Sequence, residues 1–345
     1  MSKSVCYTDE WHSIGRRLSR ARPVLEVLYA NSGEPMTKSS LQLLNKTAFL
    51  FSIIGIFDCC SVAWAQNETD PGVTATRQVL DVPGDYSTIQ SAIDAASPND
   101  VVAIRGTFVE SLIIDKPLVL TGRGVVRISP AAEQDRVICV RSSGVSLRQL
   151  RISGGLFGIE VEPGSRDLTI NGVRVDNASV GVFVDSNCHD AVVINSGFTN
   201  CDFSGFMITN CDSLRFVGNV LISCSLGAAF ASCEDAFIVR NQFFRSGFDG
   251  MTIDGANNFV FRNDAALNTG QGFLVLGDRQ MVVDNESRRN GGDGFEFRDV
   301  TEPKIDDNFS RLNGGNGFSF GPTFGLFEIG DNQALGNAGV DFFFP

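Results

Sequence analysis

The sequence predicts an all-β fold, a right-handed parallel β-helix (a solenoid) entered through a short N-terminal capping helix. Three observations predict it. Gly followed by alternating apolar residues recurs at Gly158, Gly181, Gly205, Gly227, Gly250, Gly272, Gly294 and Gly317, with spacings of 23, 24, 22, 23, 22, 22 and 23 residues. Polar turn residues, chiefly Asn, recur in phase with those glycines. The composition, with 36 Gly and 28 Phe against 3 Tyr and 2 Trp, suits many short strands joined by tight turns better than packed helices. A β-propeller blade would need about 40 residues, and the Leu-x-x-Leu-x-Leu pattern of a leucine-rich horseshoe is missing.

Residues 1–35 read as an extension or a mis-assigned start, and 36–65 as a signal peptide. Lys38 and Lys46 supply the basic start, Thr47 to Phe57 the apolar run, and Ala63-Trp64-Ala65 the small residues before cleavage at Gln66. That run is shorter than the ~20 residues of a membrane span, so a secreted, periplasmic or cell-surface protein is expected. Residues 66–80 form a linker and 81–345 the β-helix domain. Without residues 1–65 the chain keeps 21 basic and 35 acidic residues, a net charge of −14. Such a surface argues against nucleic acid or an anionic membrane as the main partner. Six cysteines remain, Cys139, Cys188, Cys201, Cys211, Cys224 and Cys233; an even number in an exported protein permits disulfides without fixing any.

The domain opens with Ser87-Thr-Ile-Gln90, a capping box that starts a helix over Ser87–Ala96. Its Ile89, Ala92, Ile93 and Ala96 make one apolar stripe, suited to covering the first coil of a solenoid. Strand-like runs follow at Val101–Ile104, Leu112–Ile114, Leu118–Leu120 and Val137–Val140. In the repeats, alternation sends Phe295 and Phe297 inward and Glu296 outward. One turn series is Asn219, Asn241, Asn263, Asn285, Asn308 and Asn332; a second is Asn177, Asn200, Asn268, Asn290, Asn313 and Asn337, with Cys224 and Ser246 between. Asn tolerates left-handed backbone, and stacked Asn side chains bond one another along an axis.

The run Val82-Pro-Gly-Asp-Tyr-Ser-Thr-Ile-Gln-Ser-Ala-Ile-Asp-Ala-Ala96, then Asp100-Val-Val-Ala-Ile and Gly106-Thr-Phe-Val-Glu110, resembles the opening of pectin-lyase-like β-helix proteins. Asn290-Gly-Gly-Asp-Gly-Phe295 and Asn313-Gly-Gly-Asn-Gly-Phe318 resemble their repeats. The likeness spans about residues 80–345. It implies the fold, and in carbohydrate-active members a polysaccharide lying along the outside of the parallel sheets. The chain departs from the catalytic patterns of the superfamily. It lacks the Asp-Pro-His and Tyr of alginate epimerases and the triple-Asp set with Gly-His-Gly of polygalacturonases, and a pectate-lyase calcium site with its arginine base is not evident.

Stacking the Gly-led strands lines up their outward residues. One column reads Glu160, Phe183, Met207, Ala229, Thr252, Leu274, Glu296, Ser319; the next reads Glu162, Asp185, Thr209, Ala231, Asp254, Leu276, Arg298, Gly321. Glu162 and Asp185 are the candidate catalytic pair, since carboxylates about 5 Å apart repel and split their pKa values, or bind a cation such as calcium. Glu160, Phe183, Asp254, Glu296 and Arg298 are the candidate substrate contacts. The competing reading is a solvated acidic strip. Cys188, Cys211 and Cys233 share a column with His189 alongside, a soft-ligand set for copper(I) or zinc, weighed against small apolar side chains stacked in a core. Late arginines (Arg215, Arg240, Arg262, Arg279, Arg288, Arg289, Arg298, Arg311) would hold uronate carboxylates or neutralise Asp284, Asp306 and Asp307. The resulting expectation is an exported protein that binds or modifies an extracellular, uronate-containing polysaccharide. Its rival is a non-enzymatic surface or periplasmic module, adhesive or copper-accessory. The apolar end Val340-Asp-Phe-Phe-Phe-Pro345 is expected to self-associate.

Overall fold

The computed structural model describes residues 77–133, 135–321 and 328–344; the expected signal peptide and everything else before residue 77 lie outside them. From the strand Val79–Val82 onward the chain is an all-parallel, right-handed β-solenoid of about 11 turns. Each coil lays down three short strands. The Gly-led strands, from Leu112–Ile114 through Phe157–Val161 and Phe295–Thr301 to Phe342–Phe343, pair in register into one sheet, here face 1. The other two strands of each coil, such as Val192–Ile194 and Gly197–Thr199, build the remaining walls.

The outward column is observed residue for residue: Glu160 pairs with Phe183, Phe183 with Met207, and so on through Leu274, Glu296 and Ser319. Gly heads each strand because successive coils touch there. A Cβ on Gly227 would lie 2.1 Å from the carbonyl oxygen of Gly250, and one on Gly181 would lie 2.3 Å from that of Gly205. No side chain fits in that seam.

Each corner places one residue in the left-handed region and the next one inward. The inward residues are the ladders. Asn241 Oδ1 accepts from the backbone N–H and the side-chain amide of Asn219 at 2.9 and 3.1 Å, while its Nδ2 donates to the Phe216 carbonyl at 2.8 Å. The pattern continues through Asn263, Asn285, Asn308 and Asn332, and a second ladder runs from Asn268 to Asn337. Asn177 and Asn200 do not belong to that second ladder. They occupy the left-handed corner one residue earlier, with φ of 57° and 53°, where Ser223, Arg245, Leu267, Arg289 and Leu312 stand in later coils. Cys201, not Asn200, fills the inward place below Cys224. Asn is suited to both positions, so its spacing alone merges them.

The N-terminal helix, α1 (Ile89–Ala95), is shorter than its capping box implies. Thr88, not Ser87, is the N-cap, accepting from the Ser91 N–H. Gln90 does not reach back to the cap; its side chain accepts from the Ile113 N–H at 2.8 Å. The carboxylate of Glu110, from the neighbouring coil, accepts from the N–H groups of Ile89 and Gln90 instead, supplying negative charge at a helix start. The stripe Ile89, Ala92, Ile93 is fully buried and lids the first coil.

Candidate functional site

Face 1 is half-buried along its outward columns, with Arg298 exposed. Alternation aims Ile138, Val140, Ile159, Val161, Val182 and Val184 into the core, all buried. Their neighbours are thereby held on the outer surface, where the N-terminal coils gather a compact polar set beside two aromatic rings. Phe157 and Phe183 stack at 5.4 Å between centroids and 25° between planes. Leu156, at 39% exposure, and Phe203, at 57%, stand at the strand entrances alongside.

The polar set is built around Arg136. Its Nε lies 2.7 Å from Glu160 Oε2 and its Nη1 lies 3.5 Å from Glu162 Oε1; Arg141 Nε donates to the same Glu162 oxygen at 2.8 Å. The Arg136 Nε–H is not aimed at Glu160 Oε2, so that buried oxygen has an ion-pair neighbour and no hydrogen bond. Cys139 sits between, with its thiol 3.5 Å from Glu162 and 3.4 Å from Arg136. Asp185 is in the next coil but turns Oδ1 to the N–H and hydroxyl of Ser186, at 2.7 and 2.9 Å.

The two glutamates are therefore unlike. Burial raises the pKa of Glu160, with Arg136 opposing and the charges of Glu162 and Asp185 adding to it. The hydrogen bond from Arg141 lowers that of Glu162. Glu160 and Glu162, two apart on one strand, are thereby driven in opposite directions. Such divergence fits one group to carry a proton while the other stays ionised. Arg136 and Arg141 escaped the sequence reading because the Gly-led pattern begins only at Gly158, one coil too late.

The second predicted patch divides. Arg298 Nε pairs with Glu296 Oε1, and Gln271 Nε2 donates to Glu296 Oε2 at 2.8 Å. Asp254 stands two coils away in the register, about 10 Å at the usual strand spacing. Among the described residues it has no basic ion-pair partner. Burial raises the pKa of Asp249 at the strand entrance, and the charge of Glu296 adds to the effect.

The predicted metal set does not converge. Cys188 and Cys211 pair in register, but all three thiols of the row are buried in the core. His189, alternating with them, points outward to Asp212, with Nδ1 3.1 Å from Oδ2. Burial pushes the Cys233 thiol up to about 12 and raises Cys188 and Cys211 as well, and a thiol must lose its proton to bind metal. Among the described residues no group of three His, Cys, Asp or Glu has metal-holding geometry. Of the late arginines Arg298 is on face 1, while Arg262, Arg288 and Arg311 lie on the other walls and corners and are engaged there, with Asp284 at 2.7 Å, Asp264 at 2.8 Å and Glu286 at 2.6 Å.

Residues 204–343 match the family model described as right handed beta helix region, and residues 120–263 match that of the periplasmic copper-binding protein NosD. The A-module of mannuronan C-5 epimerase AlgE4 from Azotobacter vinelandii superposes with a TM-score of 0.65 at 16% identity, over 76% of this chain and 94% of that one. The chain is a right-handed β-helix protein of the pectin-lyase-like fold. This β-helix also resembles the Dettilon tailspike protein gp208, with a TM-score of 0.59 at 11% identity over 74% of this chain and 62% of the other. The periplasmic alginate epimerase AlgG gives 0.50 at 13% identity, over 71% and 77%. No curated protein sequence matches. At these identities the likeness establishes the fold alone.

Proposed function

We propose that this β-helix acts outside the cytoplasm and binds an extended polysaccharide along face 1, with the stacked Phe157–Phe183 pair as a platform for sugar rings. The observation that carries the reading is the juxtaposition of that aromatic pair with the divergent glutamates Glu160 and Glu162 on a parallel sheet. Aromatic faces stack on the apolar side of sugar rings, and a strand repeat of about 4.8 Å per coil offers contacts at regular steps along a chain. The fold likeness to alginate epimerases and a tailspike supports a carbohydrate ligand. Among the described residues no helix is long and apolar enough to cross a membrane.

In its stronger form the reading includes acid–base chemistry. Residues two apart on a strand face the same side with Cα atoms about 7 Å apart. Glu160, its proton favoured by burial, would donate to a leaving glycosidic oxygen. Glu162, kept ionised by Arg141, would take a proton from the sugar or from water. A glycan panel, assayed for binding and for new reducing or unsaturated ends, tests both forms. Phe183→Ala should weaken binding, while Glu160→Gln should preserve binding and abolish any new ends. If no polysaccharide binds the intact protein, the reading falls.

The NosD match favours a second reading, a copper-accessory protein. Copper(I) titration of the intact chain and of Cys211→Ser separates the two; stoichiometric binding lost in the variant would support it.

A further inference from the structure

The charges on face 1 say which polysaccharide fits, a question that rests on the glycan-binding reading above. A uronate polymer needs cationic side chains with free donors. The arginines on and beside the face-1 strands, Arg136, Arg141 and Arg298, are each already ion-paired with a glutamate of the same face. Two acids on the outward column, Asp185 and Asp254, have no basic ion-pair partner among the described residues. They stand three coils apart, about 14 Å at the usual strand spacing. Asp249 and Asp293 add further carboxylates at the strand entrances, with oxygens accepting from Gln271 N at 2.8 Å and Asn316 N at 2.5 Å; the charge of Arg298, already paired with Glu296, is the cation nearby. The surroundings do not offset this, since the chain after residue 65 carries a net charge of −14.

We infer that the ligand of face 1 is a polysaccharide bearing protonated amino groups, whose ammonium ions meet Asp185 and Asp254 while the rings lie on the outward column beside them. Phe183, Met207, Ala229 and Thr252 form that stretch, paired strand to strand. A carboxylate-bearing chain laid in the same place would approach unpaired acids and meet guanidiniums whose charge a neighbouring glutamate already offsets. An uncharged chain would gain the ring contacts and leave the acids solvated.

The test compares three soluble oligosaccharides of equal length at a mildly acid pH where amines are protonated. They are a deacetylated glucosamine oligomer, its N-acetylated counterpart with the same backbone, and a uronate oligomer with and without added calcium. The intact protein should bind the deacetylated oligomer roughly fivefold tighter than the acetylated one, the worth of two exposed ion pairs. The gap should close with rising salt and in the Asp185→Asn/Asp254→Asn double variant, whose unchanged thermal midpoint would show that it folds. Equal or tighter binding of the acetylated oligomer, or preference for the uronate oligomer in either calcium condition, overturns the inference and leaves the glycan-binding reading intact. Failure to bind any of the three overturns the inference, and the glycan-binding reading falls only if the wider glycan panel fails as well.

Discussion

The C-terminal coils and the N-terminal coils use the same three-strand unit, yet they are stabilised differently. From Gly250 onward identical residues stack on themselves. Phe273, Phe295, Phe318 and Phe342 form a column with centroids 4.9 Å apart and planes within 8°. Phe297, Phe320 and Phe344 form a second, and the amide ladders run beside them. Toward the N-terminus the order loosens. Phe206, Phe216 and Phe230 meet at 42° and 73°, Val and Ile fill the coils below, and Cys224 and Cys201 take over the ladder position. The polar cluster around Arg136 is on this less regular side. Repetition governs the core alone: the outward columns vary in both halves, through Thr252, Leu274, Glu296 and Ser319 as through Glu160, Phe183 and Met207.

Breaking the aromatic column should have the largest effect. Phe295→Ala is expected to cost about 3–5 kcal/mol in denaturant unfolding, because neighbours held in parallel planes cannot collapse into the space. Phe206→Ala, among tilted rings and aliphatic side chains, should fall at the low end of that range. Equal losses would show that stacking adds nothing to burial.

The ladder comes next. Asn263→Ala removes bonds from Asn241 and to Asn285 and the Ile238 carbonyl, leaving buried partners unmet at about 2–3 kcal/mol. Cys224→Ala, where weak thiol contacts replace amide bonds, should cost about 1 kcal/mol. A comparable loss at both would erase the distinction between the two halves.

On the site side, Phe183→Ala should weaken glycan binding by about fivefold, near 1 kcal/mol of lost stacking, with stability little changed because the ring is only half-buried. Titration calorimetry beside an unfolding curve separates the two effects.

The smallest effect is in pH dependence. Glu160 has a folded pKa above its unfolded one, so between those values the native state holds more protons and stability falls as pH rises. Glu162 has the opposite sign: its contribution is present above its unfolded pKa and is lost as pH falls through the folded value. Glu160→Gln should flatten the first slope and leave the second. An unchanged profile would show that Glu160 titrates normally.

Much of the fold was readable beforehand because a coil is a local object. A Gly-led apolar alternation at 22 to 24 residues fixes which side chain faces in, and identical spacing fixes the register, so the outward columns followed from arithmetic. The site was less legible. Glu160 and Glu162 could be placed, but their partners come from Arg136 and Arg141, in a coil without the glycine signal, and no spacing announces where a guanidinium reaches. Likewise Cys188, Cys211 and Cys233 were aligned correctly, while alternation put their thiols in the core and His189 outside, on opposite sides of one strand.

By itself the sequence determined the period, the faces and the outward columns of the Gly-led strand, because these depend on residue spacing along a chain that can only alternate. Tertiary structure alone decided the direction in which each glutamate's pKa moves and the pairing of the arginines. Those follow from how deeply each carboxyl is covered and which cation sits within about 3 Å of it.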